Sequence, residues 1–469
     1  MITVEKTEDR GRIVVAAQNL VPGVTGTEVL AEVALVVFPK FGSPKDCSPP
    51  LPTGFPSNFS PQLWSDYWYY KSQPETVKAK VRGFYAELDG KLANSIRVGV
   101  SSFRGYENIV VEEFVLVNMV INFNAVILNP APADGSTGKG TNFGGGLFEI
   151  SCCMSHSCKP NCCWISSQDG SMKIVRIVTS VQKGEELTIN YLDGKGLLLP
   201  THARRKMLRQ SKMFDCRCKR CNSNYDDTRR FHCTTNMCPG VHFVQQMEEE
   251  DTPMVLACTV CSNEVTVDVS KSLLKQESEL KSEIYRIEYT IDHGLQIDVT
   301  DRIKKLRPFH PFHYLSEACF EIQGELYLQL GDFRSAARVN NFMVACLDEI
   351  LGEDYHDRSL AFACERVGDS LKNVDLKNAE RNYQRTVRVL QITDGFSQPY
   401  SKAAMDKLFS IQRRLSNEEN EKDQCALCGA VSRKSCSCCG RVVYCSRDHQ
   451  VIHWKKVHKK QCKPKAPQT

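Results

Sequence analysis

Apolar residues follow two periods along the chain, and the change of period divides it. Near the N-terminus they fall in short β-branched runs. IVVAA at residues 13–17 and EVLAEVALVVF at 28–38 predict two or three strands, with a turn at Pro22-Gly23. Seven prolines between residues 39 and 61, followed by an aromatic cluster at 64–70, predict an extended loop. Residues 74–92 and 107–122 predict helices, the second with Phe114, Val117 and Ile121 apolar. Residues 129–146 read as a Gly/Pro/Ser loop. Four β-prone segments come next, FEISCCM (148–154), CCWIS (162–166), MKIVRIVTS (172–180) and ELTINY (186–191), joined by turns such as Gln168-Asp169-Gly170. From residue 270 to about 416 the period becomes helical. Residues 318–330 and 336–350 form a pair broken at Gly331-Asp332, and 359–371 with 379–392 repeat it about 43 residues later. Ala336 and Ala379 follow equivalent turns, so helix pairs stacked in the tetratricopeptide manner are expected. A charged linker at 417–424 leads to a cysteine-rich end. The pattern as a whole predicts an α+β, multidomain chain.

At 469 residues the chain has room for about three modules with real cores. The N-terminal MITVEKTEDRGR is charged and lacks the apolar stretch of a signal peptide. The best apolar run, residues 29–38, contains Glu32 and is too short to span a bilayer. A soluble, intracellular protein with no membrane contact is expected, cytoplasmic, nuclear or both. In that setting the 23 cysteines read as metal ligands rather than disulfides. From Cys425 onward ten Lys/Arg face one acid, Asp448, while the rest carries 50 Lys/Arg against 54 Asp/Glu. A basic end of this kind suits weak contact with nucleic acid or acidic partners, and equally a solvated surface.

Structural zinc needs four ligands. Cys233, Cys238, Cys258 and Cys261 make one complete set, while Cys216, Cys218 and Cys221 supply three ligands and need a fourth from elsewhere. GSTGKG at 135–140 is not a nucleotide-triphosphate loop, because the spacing is wrong and Gly140 follows Lys139. The other cysteines (47, 152, 153, 162, 163, 319, 346 and 364) read as core residues or bystanders.

Several motifs then fall in one order: GRIVVA at 11–16, MSHSCKPN at 154–161, GEELTINYLD at 184–193, ARR-x2-L at 203–208, FDCRCKRC at 214–221, HPFHY at 310–314 and the cysteine/histidine array at 425–462. Together they resemble the SET and MYND domain (SMYD) family of protein-lysine methyltransferases, with the MYND finger moved to the C-terminus. The resemblance implies a β-rich SET fold with inserted helices, a cysteine-rich post-SET zinc region, a tetratricopeptide-like α-helical domain and a C-terminal MYND zinc finger. It divides the chain into an N-terminal part of the SET domain (1–38), a Pro-rich and helical insert (39–110), a SET core (111–198), a post-SET region with the second four-cysteine zinc set (199–268), a helical domain (269–416) and the finger (425–462). The helical domain is expected to lean on the post-SET region and wall one side of the substrate cleft. The resemblance implies that Cys158 closes the site of Cys216, Cys218 and Cys221. In the finger, Cys425, Cys428, Cys445 and His449 would form one site, and Cys436, Cys439, His458 and Cys462 the other. His449 stands where the family usually has Cys, and Cys438 is the leftover thiol that competes with Cys439. The cofactors implied are S-adenosylmethionine and about four zinc ions.

By the same resemblance Tyr191 is the catalytic tyrosine that orients amine and methyl group. Gly11, Arg12, Ile13, Asn124, Ser155, His156, Tyr191 and Phe214 hold the cofactor, Phe214 packing on adenine. The implied reaction is methyl transfer to histone or other protein lysines, with protein partners recruited by the finger and helical repeats, from a monomer. His310 and His313 are expected to be structural. The sequence departs from the family where Ile13 replaces a second Gly, Ser155 replaces Asn, Val126 replaces Phe and Lys212 replaces an aromatic. The last two widen the lysine channel and weaken its selection by roughly 0.5–2 kcal/mol each. The alternative is a scaffold or transcriptional adaptor that keeps the SET fold for structure alone.

Overall fold

The computed structural model describes residues 1–462 except 9–10, 23–27, 41–42, 44, 54, 58, 104–108, 129–143, 168–170, 193–195, 247–253, 294–299, 307–308, 423–424, 427, 429–431, 433 and 441, and for 417–422 the backbone alone. The chain opens with an antiparallel hairpin, β1 (Ile2–Thr7) and β2 (Gly11–Ala16), then β3 (Glu28–Val33) and β4 (Val36–Phe38). Four helices follow: α1 (Gln62–Ser72), α2 (Glu75–Arg82), α3 (Lys91–Val100) and α4 (Val111–Asn124). They pack around Trp64, Tyr67, Phe114 and Val117, all buried, with Phe38 of β4 in the same core. Short strands β5 (Val126–Ile127), β6 (Gly145–Leu147), β7 (Ser155–His156), β8 (Cys162–Ser166), β9 (Met172–Ile177) and β10 (Thr188–Ile189) complete the β region. Two three-stranded antiparallel sheets result, β3-β9-β8 and β4-β6-β5, while β7 and β10 pair in parallel. The Pro22–Gly23 and Gln168–Gly170 turns and most of the 129–146 loop, GSTGKG included, lie outside the described residues in whole or part.

Helix α5 (Thr201–Lys212) leads into the first cysteine cluster, and hairpin β11 (Tyr225–His232) and β12 (Val241–Gln245) carries the second. Helices α6 (Val267–Asp292), α7 (Thr300–Lys305), α8 (Tyr314–Gln329), α9 (Phe333–Leu351), α10 (Arg358–Leu371), α11 (Leu376–Thr393) and α12 (Pro399–Lys422) form the helical domain, and α13 (Arg447–His453) belongs to the finger. Asp332 and Asp375 each cap the next helix by accepting the backbone N–H three residues on, which fixes the α8–α9 and α10–α11 turns. His313 caps α8 through Leu315 N–H at 3.2 Å and stands 3.3 Å from Glu277 of α6, which also takes a two-pronged ion pair from Arg229 of β11. The HPFHY segment therefore locks helix to hairpin, and its histidines join none of the ligand clusters among the described residues.

The fold corrects the sequence reading in four places. Residues 148–154 form no strand. Glu32 of β3 accepts the N–H groups of Ile150 and Ser151 at 2.7 and 2.9 Å, which holds Ser151–Cys153 in a 3-10 turn. Of the 74–92 stretch only Glu75–Arg82 is a helix of its own; the chain leaves it at Gly83, and the next helix, Lys91–Val100, begins only at the end of the stretch. The charged linker is helical, since α12 runs to Lys422. Strand β1 was not foreseen, because its mostly exposed VEKT face shows no apolar alternation. No helix among the described residues is long and apolar enough to cross a membrane.

Candidate functional site

The site is organised by β7 and β10. Their parallel pairing sets Thr188 opposite Ser155 and Ile189 opposite His156, and Ser157 N–H extends it to Ile189 O at 3.1 Å. Asn161 crosses back, its amide donating to Glu186 O at 2.9 Å and its Oδ1 accepting Thr188 N–H at 2.8 Å. Two residues past the pairing, Tyr191 N–H donates to His156 Nδ1 at 3.0 Å. That bond fixes the imidazole's tautomer, with the proton on Nε2, which faces Cys158 Sγ at 3.3 Å. Burial pushes His156 down to about 4, so the ring is neutral.

Cys158 sits with Cys216, Cys218 and Cys221, its sulfur 3.9 Å from that of Cys216 and 3.5 Å from that of Cys221. Zn–S bonds of about 2.3 Å in a tetrahedron require S···S near 3.8 Å, so the set fits zinc and is too wide for a disulfide. The ARR-x2-L motif supports this cluster. Arg204, fully buried, reaches Cys221 Sγ at 3.6 Å, Arg205 donates to Cys216 O and Cys221 O, and Leu208 fills the core beneath. Arg220 joins the two halves by donating to Cys158 O and Leu197 O. Three more tetrads have all ligand atoms within 4.8 Å of one another: Cys233, Cys238, Cys258 and Cys261; Cys425, Cys428, Cys445 and His449; Cys436, Cys439, His458 and Cys462. His449 faces Cys425 and Cys445 through Nδ1, whereas His453 bonds the Tyr444 hydroxyl and Cys438 lies exposed outside either set.

A cavity of about 330 Å³ opens beside Tyr191. Asn124, Val126, Lys212 and Phe214 line it with Tyr191, so five positions singled out in the sequence converge there. The Tyr191 hydroxyl donates to Met154 O at 2.5 Å, and burial, with Cys152, Cys153 and Glu186 nearby, raises its pKa above the usual phenol value, so it stays a protonated donor. The rings of His156, Tyr191 and Phe214 stand 5.5–6.3 Å apart, the last two edge to face. Asn124 spends its NH₂ on Tyr85 O and Val120 O. Ser151 Oγ is buried on the cavity wall with no described partner. An unpaired hydroxyl, an amide oxygen and an aromatic face suit a polar ligand with a planar base.

The other predicted cofactor residues lie elsewhere. Gly11, Arg12 and Ile13 begin β2, Gly11 with a φ of +71° that favours glycine, and this strand passes beside the 3-10 turn without lining the cavity. Ser155 commits its hydroxyl to Glu186 at 2.6 Å, and His156 stands behind Tyr191. The cavity also keeps aromatic walls that the losses at 126 and 212 did not suggest, among them Phe123, Phe148 and Trp164. Lys212 Nζ donates to Phe123 O at 2.8 Å and lies 6.0 Å from the Tyr191 ring centroid. Sequence reasoning missed Trp164 and Lys173, and the one visible signal was a lysine inside the apolar run MKIVRIV.

Comparison with known families matches residues 54–192 to the SET domain and 425–462 to the MYND finger. The first span takes in 54–110, which the sequence reading set apart as an insert. The chain is 25% identical over 286 residues to "Histone-lysine N-methyltransferase ASHR1" of Arabidopsis thaliana, covering 58% of this chain and 57% of that protein. It is 39% identical over 84 residues to "Histone-lysine N-methyltransferase SMYD3" of Mus musculus, covering 18% of each. It is 34% identical over 84 residues to "Protein-lysine N-trimethyltransferase SMYD5" of Mus musculus, covering 18% of this chain and 20% of the other. The chain thus spans less than two thirds of each of these relatives.

Proposed function

We propose that this chain, a SET and MYND domain protein with its finger at the C-terminal end, is an S-adenosylmethionine-dependent protein-lysine N-methyltransferase. The observation that carries the reading is the clamp on Tyr191: a parallel pair ties its segment to His156, and Cys158 ties both to Cys216, Cys218 and Cys221 beside a cavity. S-adenosylmethionine, when bound, supplies an electrophilic methyl group on a sulfonium. Asn124, Ser151 and Phe214 offer its polar and aromatic contacts. A lysine of pKa about 10.4 must be deprotonated first, at about 4–5 kcal/mol near neutral pH. Partial burial lowers that cost by disfavouring the ammonium. Tyr191 stays protonated, holds the Met154 carbonyl in place and orients the acceptor amine.

A second reading, an adaptor without transferase activity, draws on the cavity's charge. Lys173 and Lys212 line it, and among the described residues no acidic one does, so an incoming lysine ammonium meets two like charges. Transfer of labelled methyl groups to a panel of histones and peptides, run beside Tyr191→Phe, separates the two. Incorporation lost in the variant supports the transferase. No incorporation above the variant, with cofactor bound, favours the adaptor.

A further inference from the structure

We propose that Lys173 is itself a methyl acceptor, the amine around which the cavity beside Tyr191 is built. The inference rests on the methyl-transfer reading and adds a modification site inside the protein. Lys173 lies on β9, the central strand of its sheet, opposite Glu32 of β3 and Ser166 of β8. Its side chain is 2% exposed, yet it lines the same cavity as Tyr191. Its ammonium has no hydrogen bond or ion pair among the described residues. Instead Nζ lies 5.0 Å from the Trp164 ring centroid and 5.9 Å from that of Phe148. Two aromatic faces around a cation without hydrogen-bond partners suit a methylammonium better than an ammonium, which loses more hydration on burial.

The charged and titratable groups that act on Lys173 are Glu32 on β3, Cys152 in the 3-10 turn and Lys212 on α5. Burial, with the Lys212 charge, outweighs Glu32 and brings the amine down to about 8, so much of it is neutral in mildly alkaline solution. An external lysine must displace water and approach two cations, whereas Lys173 is already in place and loses no translational freedom. The ammonium first gives up its proton to solvent through the cavity. The Nζ lone pair then attacks the methyl carbon of the sulfonium, the carbon–sulfur bond breaks with its electrons left on a neutral thioether, and Lys173 becomes a methylammonium.

Two measurements test this on the full-length protein. Incubation with trideuteromethyl S-adenosylmethionine and peptide mass spectrometry should place label on Lys173, and Lys173→Arg should remove it. Label on histones or added peptides with none on Lys173 overturns this inference and leaves the transferase standing, as does label on Lys212 instead. No label anywhere despite bound cofactor overturns both. The second measurement needs no turnover: a crystal structure with S-adenosylhomocysteine should show Lys173 Nζ facing the sulfur with no side chain between. An Nζ turned away, or bonded to the ligand's carboxylate, makes Lys173 something other than an acceptor and sinks the proposal.

Discussion

Tyr191 holds Met154 O with its hydroxyl and His156 with its backbone, so substitution separates the two roles. Tyr191→Phe keeps the ring and the backbone bond and removes only the O–H. Leaving the Met154 carbonyl unpaired costs about 1–3 kcal/mol of stability. The larger effect expected is on turnover, a fall of about 100-fold from misplacement of the acceptor. Cofactor Kd, measured by calorimetry, should stay within about threefold, and a Kd that rises in step with the loss of kcat would mean that Tyr191 only shapes the cofactor site. Glu277 shows residue-scale electrostatics far from the cavity. Burial alone would raise its carboxyl, yet His313 and Arg229 hold it down at about 2 against an ordinary 4.5. The folded value lies below the unfolded one, so the stabilisation is complete above the unfolded value and is lost as pH falls from about 4.5 toward 2. It is worth on the order of 3 kcal/mol. Urea unfolding across that range should show wild-type stability falling more steeply than that of Glu277→Gln, and parallel curves would contradict the assignment.

At the scale of elements the zinc clusters separate by what they hold. Cys158 joins β7 to the segment after α5, so Cys158→Ser should release one zinc and abolish cofactor binding together. Cys428→Ser should also release one zinc, yet leave the melting of the SET region within about 2 °C, because Cys428 serves the finger alone. Metal content by mass spectrometry, read beside thermal melts, decides between shared and separate roles. The tetrad of Cys233, Cys238, Cys258 and Cys261 was legible from ligand chemistry and spacing, the closure by Cys158 and the finger's two sets through the family resemblance, and the paired helices because the helical period and the break at Gly331-Asp332 agree. The rest depended on partners distant in the chain. FEISCCM has strand composition, but Glu32, more than a hundred residues away, takes its N–H groups and turns it. Trp164 and Lys173 face one cavity only because β8 and β9 pair in a register that sets Trp164 against Val175 and Ser166 against Lys173. Residues 11–13 and 155 carry the motif, but none of them lines the cavity, and Ser155 commits its hydroxyl to Glu186.

Over the whole molecule the helical domain is not a separate body beside the SET fold. Leu197, Leu198, Leu208 and the cysteines of the first zinc cluster share one apolar core with Met343, Leu347, Tyr355 and Leu390. Arg176 on β9 donates to Ile392 O at 2.7 Å and Gln391 O at 3.1 Å, satisfying carbonyls at the C-terminal end of α11, and His356 reaches Val178 O at 3.0 Å. Among the described residues none of the helical domain lines the cavity beside Tyr191; α11 instead packs against β8 and β9 of the sheet. The finger differs: its core of Cys425, Cys436, Cys439 and Tyr444 draws its described neighbours from within residues 425–462. Truncation should reflect that asymmetry. A chain ending at residue 416 should bind S-adenosylmethionine within tenfold of the full chain, a difference under about 1.4 kcal/mol. A chain ending at residue 268 exposes the shared core and should lose both cofactor binding and cooperative unfolding. Arg176→Ala, which leaves two carbonyls without their charged donor, should cost the full chain about 3 kcal/mol. If the 268-residue chain melts cooperatively and binds cofactor as the full chain does, the helices are an appendage and the clamp on Tyr191 needs only its zinc.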